Sequence, residues 1–169
     1  MKWIGISGSW RKTNSKVETD VRNLVREVIA KGDGIVTGGA LGVDYFATDE
    51  VLKLNPSAKQ IKVYLPTTLQ IYATHYRKRA KEGVITRTQA EELISQLEKL
   101  AKLNPSAVIV NRENKLVNTD TYYQRNMEVV NASDELVAFQ VNGSQGTQDA
   151  INKAEQQGKK VKRFIYSID

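Results

Sequence analysis

Short apolar runs alternate with longer amphipathic stretches along this chain of 169 residues. The runs have the length and the bounding turn residues that are typical of β-strands. They occupy residues 2–7, 34–37, 61–65, 136–141 and 159–168. Residues 107–110 fit either a further short strand or a buried loop segment, and the pattern leaves both readings open.

Five of the amphipathic stretches repeat apolar residues at the spacing of one helix face. These residues lie within 17–29, 43–54, 90–101, 123–130 and 147–154. Residues that favour helix N-termini precede three of the stretches. They are Asn14 or Ser15 for the first, Thr88 with Glu91 as a capping box for the third, and Thr119 or Asp120 for the fourth. In the fourth helix, Tyr123, Met127 and Val130 are expected to face inward.

Residues 67–86 show only weak periodicity, and the pattern predicts a long loop there. Long loops in compact domains are usually functional or mobile. The segment carries tyrosines beside a basic cluster, which consists of Arg77, Lys78, Arg79 and Lys81. Aromatic and basic side chains together are typical of surfaces that bind single-stranded nucleic acid.

Strands that alternate with helices require parallel strands joined by right-handed crossovers. We therefore predict a single α/β domain over residues 1–169, with about five parallel strands between two layers of helices. In such a sheet the ligand crevice lies beyond the carboxyl ends of the strands.

Three turns rich in glycine and serine follow strands, at residues 8–9, 38–42 and 143–147, and should meet at this edge of the sheet. Backbone N–H groups and hydroxyls at helix N-termini can bind phosphate without a buried counter-charge. The residues expected to bind a ligand in this way are Ser9, Gly38, Gly39, Gly143, Ser144, Gly146 and Thr147. A larger side chain at Gly39 should block the approach of a ligand and leave the fold largely intact.

Two charged residues accompany these turns. Asp44 lies in the first turn of the second helix. Its carboxylate is either simply stabilised there by the helix dipole or also accepts hydrogen bonds from ribose hydroxyls. Arg125 either pairs with a phosphate bidentately or forms a surface ion pair.

Composition narrows the chemistry further. The chain has no cysteine, which excludes disulfides and thiolate sites. Its one histidine, His75, leaves no basis for a histidine metal cluster, and we expect no metal site. A net charge of +6 favours anionic partners such as nucleotides or nucleic acid. No apolar run approaches the length of a membrane span or a signal peptide, so we expect a cytoplasmic protein without a membrane partner.

The glycine turns also carry a family resemblance. Residues 4–9 (IGISGS) and 35–44 (IVTGGALGVD) resemble the Gly-Ser loop and Gly-Gly-Ala-x-Gly-hydrophobic-Asp turn of DNA-processing protein A. Arg125-Asn126 and residues 143–147 (GSQGT) resemble the later pattern of the Rossmann-like SLOG superfamily, which also includes the Lonely guy phosphoribohydrolases, formerly called lysine decarboxylases. The resemblance implies a strand order of 3-2-1-4-5 and a nucleotide-type ligand over the three loops. It adds Gly8, Arg11, Ala40 and Asn126 to the expected site.

Three departures from the family patterns bear on function. Trp10 replaces the arginine that follows Gly-Ser, with Arg11 one position later, and residues 142–144 (NGS) replace Pro-Gly-Gly. Ala150 stands where the phosphoribohydrolases place a glutamate. We therefore expect binding or sensing of a nucleotide or an ADP-ribose-like ligand, with no catalytic residue or certain cofactor assigned. The alternatives are an N-glycosidic hydrolase and a binder of single-stranded DNA, and the protein could act as a homo-oligomer.

Overall fold

A computed structural model describes residues 1–169, which form one parallel sheet of six strands. The strands are β1 (Trp3–Gly8), β2 (Gly34–Thr37), β3 (Ile61–Tyr64), β4 (Val108–Ile109), β5 (Glu135–Val141) and β6 (Lys160–Tyr166). Their order across the sheet is β4-β3-β2-β1-β5-β6. The predicted three-layer fold and its strand order are confirmed, and β4 adds a two-residue strand at one edge.

Strand β1 lies inside the sheet, with β2 on one side and β5 on the other. Gly5 pairs with Val36 of β2 on one side and with Leu136 of β5 on the other. The chain runs outward through β2, β3 and β4, and then returns to the far side of β1 through β5 and β6. The order therefore reverses beside β1, which is where open α/β sheets form their ligand crevice.

Six helices cover the two faces of the sheet. They are α1 (Ser15–Ala30), α2 (Val43–Leu54), α3 (Leu69–Lys81), α4 (Arg87–Leu103), α5 (Thr119–Asn131) and α6 (Gln145–Gln156). The main core contains 29 buried residues, drawn from α1 to α4 and the sheet. A smaller core of six residues joins α5 and α6 to β5. None of the helices has the length and apolar character needed to cross a lipid bilayer.

The prediction of a long loop at residues 67–86 is wrong, because most of this segment is helix α3. Thr68 caps its N-terminus by accepting a hydrogen bond from the Ile71 N–H. Only Tyr72, Ala73 and Tyr76 of this helix are buried. The apolar stripe is thus short and the remainder is polar or basic, which explains the weak periodicity.

Two other helix starts differ from their predictions. Helix α4 begins two residues earlier than expected, with Thr86 and Gln89 as the capping box. Helix α5 is capped by Asn118 and not by Thr119 or Asp120. Val129 and Val130 are buried on its inward face, whereas Tyr123 is half-buried and Met127 is 36% exposed. In α1 the cap is Asn14, one of the two predicted residues.

Candidate functional site

A cavity of about 530 Å³ lies beyond the carboxyl ends of β1 and β2. Gly8 and Gly38 form part of its floor, the N-terminus of α6 and one face of α5 form two walls, and α3 closes a third side. The cavity is therefore at the position where the strand order reverses. Nine of the residues expected at the site line it: Gly8, Gly38, Ala40, Asp44, Arg125, Asn126, Ser144, Gly146 and Thr147.

Four of the expected residues do not line the cavity. Ser9 is buried and its hydroxyl accepts a hydrogen bond from the Lys12 N–H at 3.1 Å, so it shapes the loop instead. Arg11 is exposed, with its guanidinium 5.6 Å from the ring centroid of Trp10. Gly143 has a φ of +65° in the turn after β5, with no atom near the position of a Cβ. Gly39 is the fourth.

Gly39 faces the core and not the cavity. Its φ of +68° lies in the left-handed region, and a Cβ there would come within 2.5 Å of Leu65 and 2.8 Å of Val63. A larger residue at this position would therefore disturb packing and backbone together. The expectation that a substitution at Gly39 would leave the fold intact is wrong.

The backbone amides of the turn after β2 are hydrogen-bonded within the protein. Their acceptors are Thr37 Oγ1 for Gly39 (3.3 Å), Asp44 Oδ2 for Ala40 (3.2 Å) and the Tyr76 hydroxyl for Leu41 (3.3 Å). These N–H groups are not free to bind phosphate. The glycine-rich turn that looks most like an anion cradle in sequence is thus closed in the folded protein.

The carbonyl groups of the same turn are also hydrogen-bonded. Arg125 donates from Nη1 to the Gly38 carbonyl at 2.6 Å, and the Tyr72 hydroxyl donates to the Gly39 carbonyl at 2.9 Å. Tyr72 and Tyr76 are one helical turn apart in α3, and their hydroxyls are 3.4 Å apart. Their i, i+4 spacing was the one signal in the sequence that could have revealed this role.

Asp44 supplies the one carboxylate that lines the cavity. Its side chain is buried, and the loss of solvation raises the pKa of the carboxyl group to about 6, although the nearby Arg125 guanidinium opposes that rise. Oδ2 accepts the Ala40 N–H, while Oδ1 is buried and has no hydrogen-bond partner. The site therefore contains a buried acceptor that the protein leaves unused.

The turn after β5 presents the opposite arrangement. The backbone N–H groups of Gln145, Gly146 and Thr147 form the first turn of α6 and have no acceptor in the protein. Ser144 precedes the helix without capping it, and its hydroxyl accepts a hydrogen bond from Thr147 Oγ1 at 3.3 Å. These free donors, reinforced by the helix dipole, can bind an anion.

The aromatic side chains of Trp10, Tyr76 and Tyr122 form one wall of the cavity. Trp10 packs edge-on against Tyr76, with ring centroids 6.3 Å apart, and the Arg125 guanidinium lies 5.1 Å from the Tyr122 ring centroid. His75 lies beside Tyr122, with Nε2 3.4 Å from the hydroxyl, and partial burial lowers the pKa of this imidazole. The wall can accept a planar group, and its α3 residues were missed by sequence reasoning because that helix was taken for a loop.

Most of the basic cluster faces away from the cavity. Arg77 pairs with Glu91 at 2.9 Å, and Arg79 pairs with Glu82 at 3.1 Å. Lys78 and Lys81 are exposed and form no ion pair. Arg79 alone of the four lines the cavity, so the cluster flanks the site through one residue.

Comparison with known proteins places this arrangement in a family. The model of the family described as DNA recombination-mediator protein A matches residues 1–168. The chain belongs to this family. No curated protein matches the sequence.

Solved structures of low sequence identity share the family fold. DNA processing protein A from Helicobacter pylori, described for its single-stranded DNA binding mode, aligns over 97% of this chain with a TM-score of 0.68 and 20% identity. The alignment covers 64% of that protein, so this chain spans less than two thirds of its length. The molybdenum cofactor binding protein of Rippkaea orientalis aligns over 99% of this chain and 77% of its own, with a TM-score of 0.60 and 18% identity. DNA processing protein A from Streptococcus pneumoniae aligns over 95% of this chain and 58% of its own, with a TM-score of 0.52 and 14% identity. These likenesses confirm the Rossmann-like fold.

Ala150, where the resemblance to the phosphoribohydrolases would place a glutamate, lines the cavity. The adjacent Asp149 does not line the cavity. Its carboxylate pairs with Lys153 at 2.6 Å and accepts a hydrogen bond from Asn126 at 3.0 Å. Asp149 is thus held away from the place where a glutamate at 150 would act.

Proposed function

We propose that this protein binds single-stranded DNA and that one nucleotide of the strand enters the cavity. The observation that carries the proposal is the free first turn of α6, which lines the same cavity as the aromatic wall. Membership of the DNA recombination-mediator protein A family supports a nucleic acid as the source of that nucleotide. The net charge of +6 favours the same class of partner.

In this proposal the phosphate occupies the N-terminus of α6. Gln145, Gly146 and Thr147 offer three unpaired N–H groups, and the helix dipole adds partial positive charge there. Arg79 lines the cavity as well and adds a positive charge to its rim. The turn after β2 is a poor site for phosphate, because its amides are occupied and the Asp44 carboxylate would repel an anion.

The aromatic wall receives the base. Trp10 and Tyr122 are half-buried and line one side of the cavity, with Tyr76 buried beside Trp10. Aromatic side chains stack on every base with little sequence preference, so Trp10 and Tyr122 are the two that can contact it. A single-stranded nucleotide can be unstacked from its neighbours at small cost, whereas a base pair must first be broken. The enclosed shape therefore favours single strands over duplexes.

A free nucleotide-type ligand is the second candidate. The cavity volume of about 530 Å³ lies within the usual range of small-molecule sites, which is about 300–1,000 Å³. A nucleoside phosphate or an ADP-ribose-like molecule would use the same phosphate and base positions. The two candidates differ in whether affinity depends on the length of the strand.

The test is a titration of the protein against single-stranded oligonucleotides of increasing length, the matching duplex and single nucleotides, followed by fluorescence anisotropy or calorimetry. Gly146→Val places a side chain into space that is empty in the structure, where a Cβ meets no atom within 4 Å. We expect it to weaken binding at least about tenfold, because one lost charge-assisted contact is worth about 1.5 to 3 kcal/mol. The matched control is Asn152→Val, an exposed position on the same helix outside the cavity.

Affinity that rises with strand length and falls in Gly146→Val supports the main proposal. Tight binding of single nucleotides without a gain from longer strands supports the second candidate. Equal affinities of Gly146→Val and Asn152→Val would show that the cavity is not the binding site. An absence of binding to every ligand would overturn both candidates.

A further inference from the structure

The carboxylate of Asp44 has an unusual combination of burial and incomplete hydrogen bonding. The residue is 6% exposed, and its Oδ2 receives a hydrogen bond from the Ala40 N–H at 3.2 Å. The Gly38 N–H is also near enough to lower the pKa of the carboxyl group, but it does not reach hydrogen-bonding geometry. Oδ1 of Asp44 is the one buried side-chain polar atom in the protein without a partner. Buried polar atoms nearly always have partners, because an unpaired one loses its hydration without compensation.

The neighbouring cation does not satisfy this oxygen. Arg125 is close enough to oppose the rise in the pKa of Asp44, yet its Nη1 donates to the Gly38 carbonyl at 2.6 Å, and no ion pair joins the two side chains. A metal ion is a poor candidate, because no other carboxylate lines the cavity and the guanidinium would repel it. A neutral hydrogen-bond donor on a ligand is left as the partner that fits.

We infer that Asp44 is a specificity residue that accepts a hydrogen bond from a donor group on the nucleotide in the cavity. This inference rests on the proposed function, since it concerns the same cavity and the same class of ligand. The donor is an amino group of the base or a hydroxyl of the sugar. Either group would bring an N–H or O–H to Asp44 while the phosphate occupies the first turn of α6.

A single substitution can reverse the polarity of this contact. In Asp44→Asn the amide oxygen must stay beside the Ala40 N–H, because the opposite orientation would place two donors together. The amide NH₂ then takes the place of Oδ1. The variant therefore offers a donor where the wild-type protein offers an acceptor, with almost no change in shape.

The ligands that test this reversal are pairs of 5′-monophosphates differing in one donor. Cytidine and uridine differ by an amino group against a carbonyl at the same ring position, and adenosine and inosine differ in the same way. Ribose and 2′-deoxyribose forms of each nucleotide differ by one hydroxyl. Calorimetric titration of all of them is carried out on wild-type protein, Asp44→Asn and a control, Asp149→Asn, whose carboxylate lies outside the cavity.

We expect wild-type protein to favour the donor-bearing member of at least one pair by about tenfold to a hundredfold, the usual range for a hydrogen bond to a charged group. For two nucleotides that differ in the base, Asp44→Asn should invert the preference. For two that differ in the sugar, it should abolish the preference. Asp149→Asn should retain the wild-type preference in both cases. Nucleotide binding with the same preferences in all three proteins would overturn the inference and leave the proposed function standing. If Asp44→Asn fails to fold, the wild-type comparison still decides, because equal affinity within every pair would overturn the inference. Wild-type protein that binds neither these nucleotides nor single-stranded oligonucleotides would overturn the proposed function and this inference with it.

Discussion

The two glycine turns at the cavity, after β2 and after β5, have similar sequences but opposite structures. In the turn after β2, the N–H groups of Gly39, Ala40 and Leu41 donate within the protein, and both neighbouring carbonyls are occupied. In the turn after β5, the first N–H groups of α6 have no acceptor. The first turn is part of the core, and the second is available to a ligand.

The difference lies in the neighbours of each turn. Helix α3 places Tyr72 and Tyr76 against the β2 turn, and α5 adds Arg125 from the opposite side. The β5 turn lies nearer the edge of the sheet, beside β6, where nothing covers Gly146. A glycine-rich sequence thus indicates a backbone conformation, whereas its free hydrogen-bonding capacity depends on what packs against it.

The largest expected effect comes from placing the same side chain in both turns. Gly39→Val should lower the free energy of unfolding by more than about 3 kcal/mol, because overpacking against Leu65 and Val63 adds to the strain of a positive φ. Gly146→Val should change it by less than about 1 kcal/mol, since neither penalty applies there. Urea unfolding of the two variants measures both values. Similar losses would mean that the two turns do not differ in the way described.

Asp44 should give the β2 turn a dependence on pH. Its pKa is raised to about 6 in the folded protein, so between about pH 4 and 6 the folded state holds a proton that the unfolded state has released. The stability that this group contributes is therefore present at low pH and is lost as the pH rises through about 6. The full change is roughly 3 kcal/mol, given about 1.4 kcal/mol for each pKa unit.

The measurement is the free energy of unfolding at pH 4 to 7 for wild-type protein and Asp44→Asn. Subtracting the two curves cancels the other carboxylates, including Glu50 and Asp49, whose pKa values are lowered by Arg22. The difference should fall as the pH rises. A flat difference would show that the carboxylate is not held in the environment seen here.

Arg125 should stabilise the turn after β2, in addition to lining the cavity. Arg125→Met keeps most of the side chain's length but removes the donor to the Gly38 carbonyl and the positive charge near Asp44. We expect a loss of about 1 to 2 kcal/mol in the free energy of unfolding at pH 7. Arg77→Met is the control, because Arg77 pairs with Glu91 on the exposed surface and should contribute less. A larger loss in the control would contradict the structural role of Arg125.

The smallest expected effect concerns the basic cluster, whose contribution to binding is compared with that of the turn after β5. Replacing Lys78 and Lys81 with glutamine should weaken DNA binding a few-fold and make the dependence of affinity on salt shallower, by about 0.7 per lost contact with a single strand. Gly146→Val should weaken binding without changing that slope, because it removes no charge. Binding measured from 50 to 300 mM salt distinguishes the two. An unchanged slope in the lysine variant would place the strand elsewhere on the surface.

The sequence alone was sufficient for the parallel α/β fold, because five of the six strands and most helices carry an apolar pattern that depends only on local residues, whereas β4 was left open. It also predicted where the cavity lies, since turns that follow parallel strands must meet at one edge of the sheet. Nine of the thirteen residues expected at the site lie around one cavity for this reason.

Only the tertiary structure decided which backbone groups in that cavity are free. Tyr72 and Tyr76 reach the β2 turn from more than thirty residues away, and Arg125 reaches it from 87 residues away. Hydrogen bonds over such separations depend on how helices pack, and no local pattern records them. The turn with the stronger sequence motif is closed for that reason, whereas the first amides of α6 and Oδ1 of Asp44 have no partner in the protein.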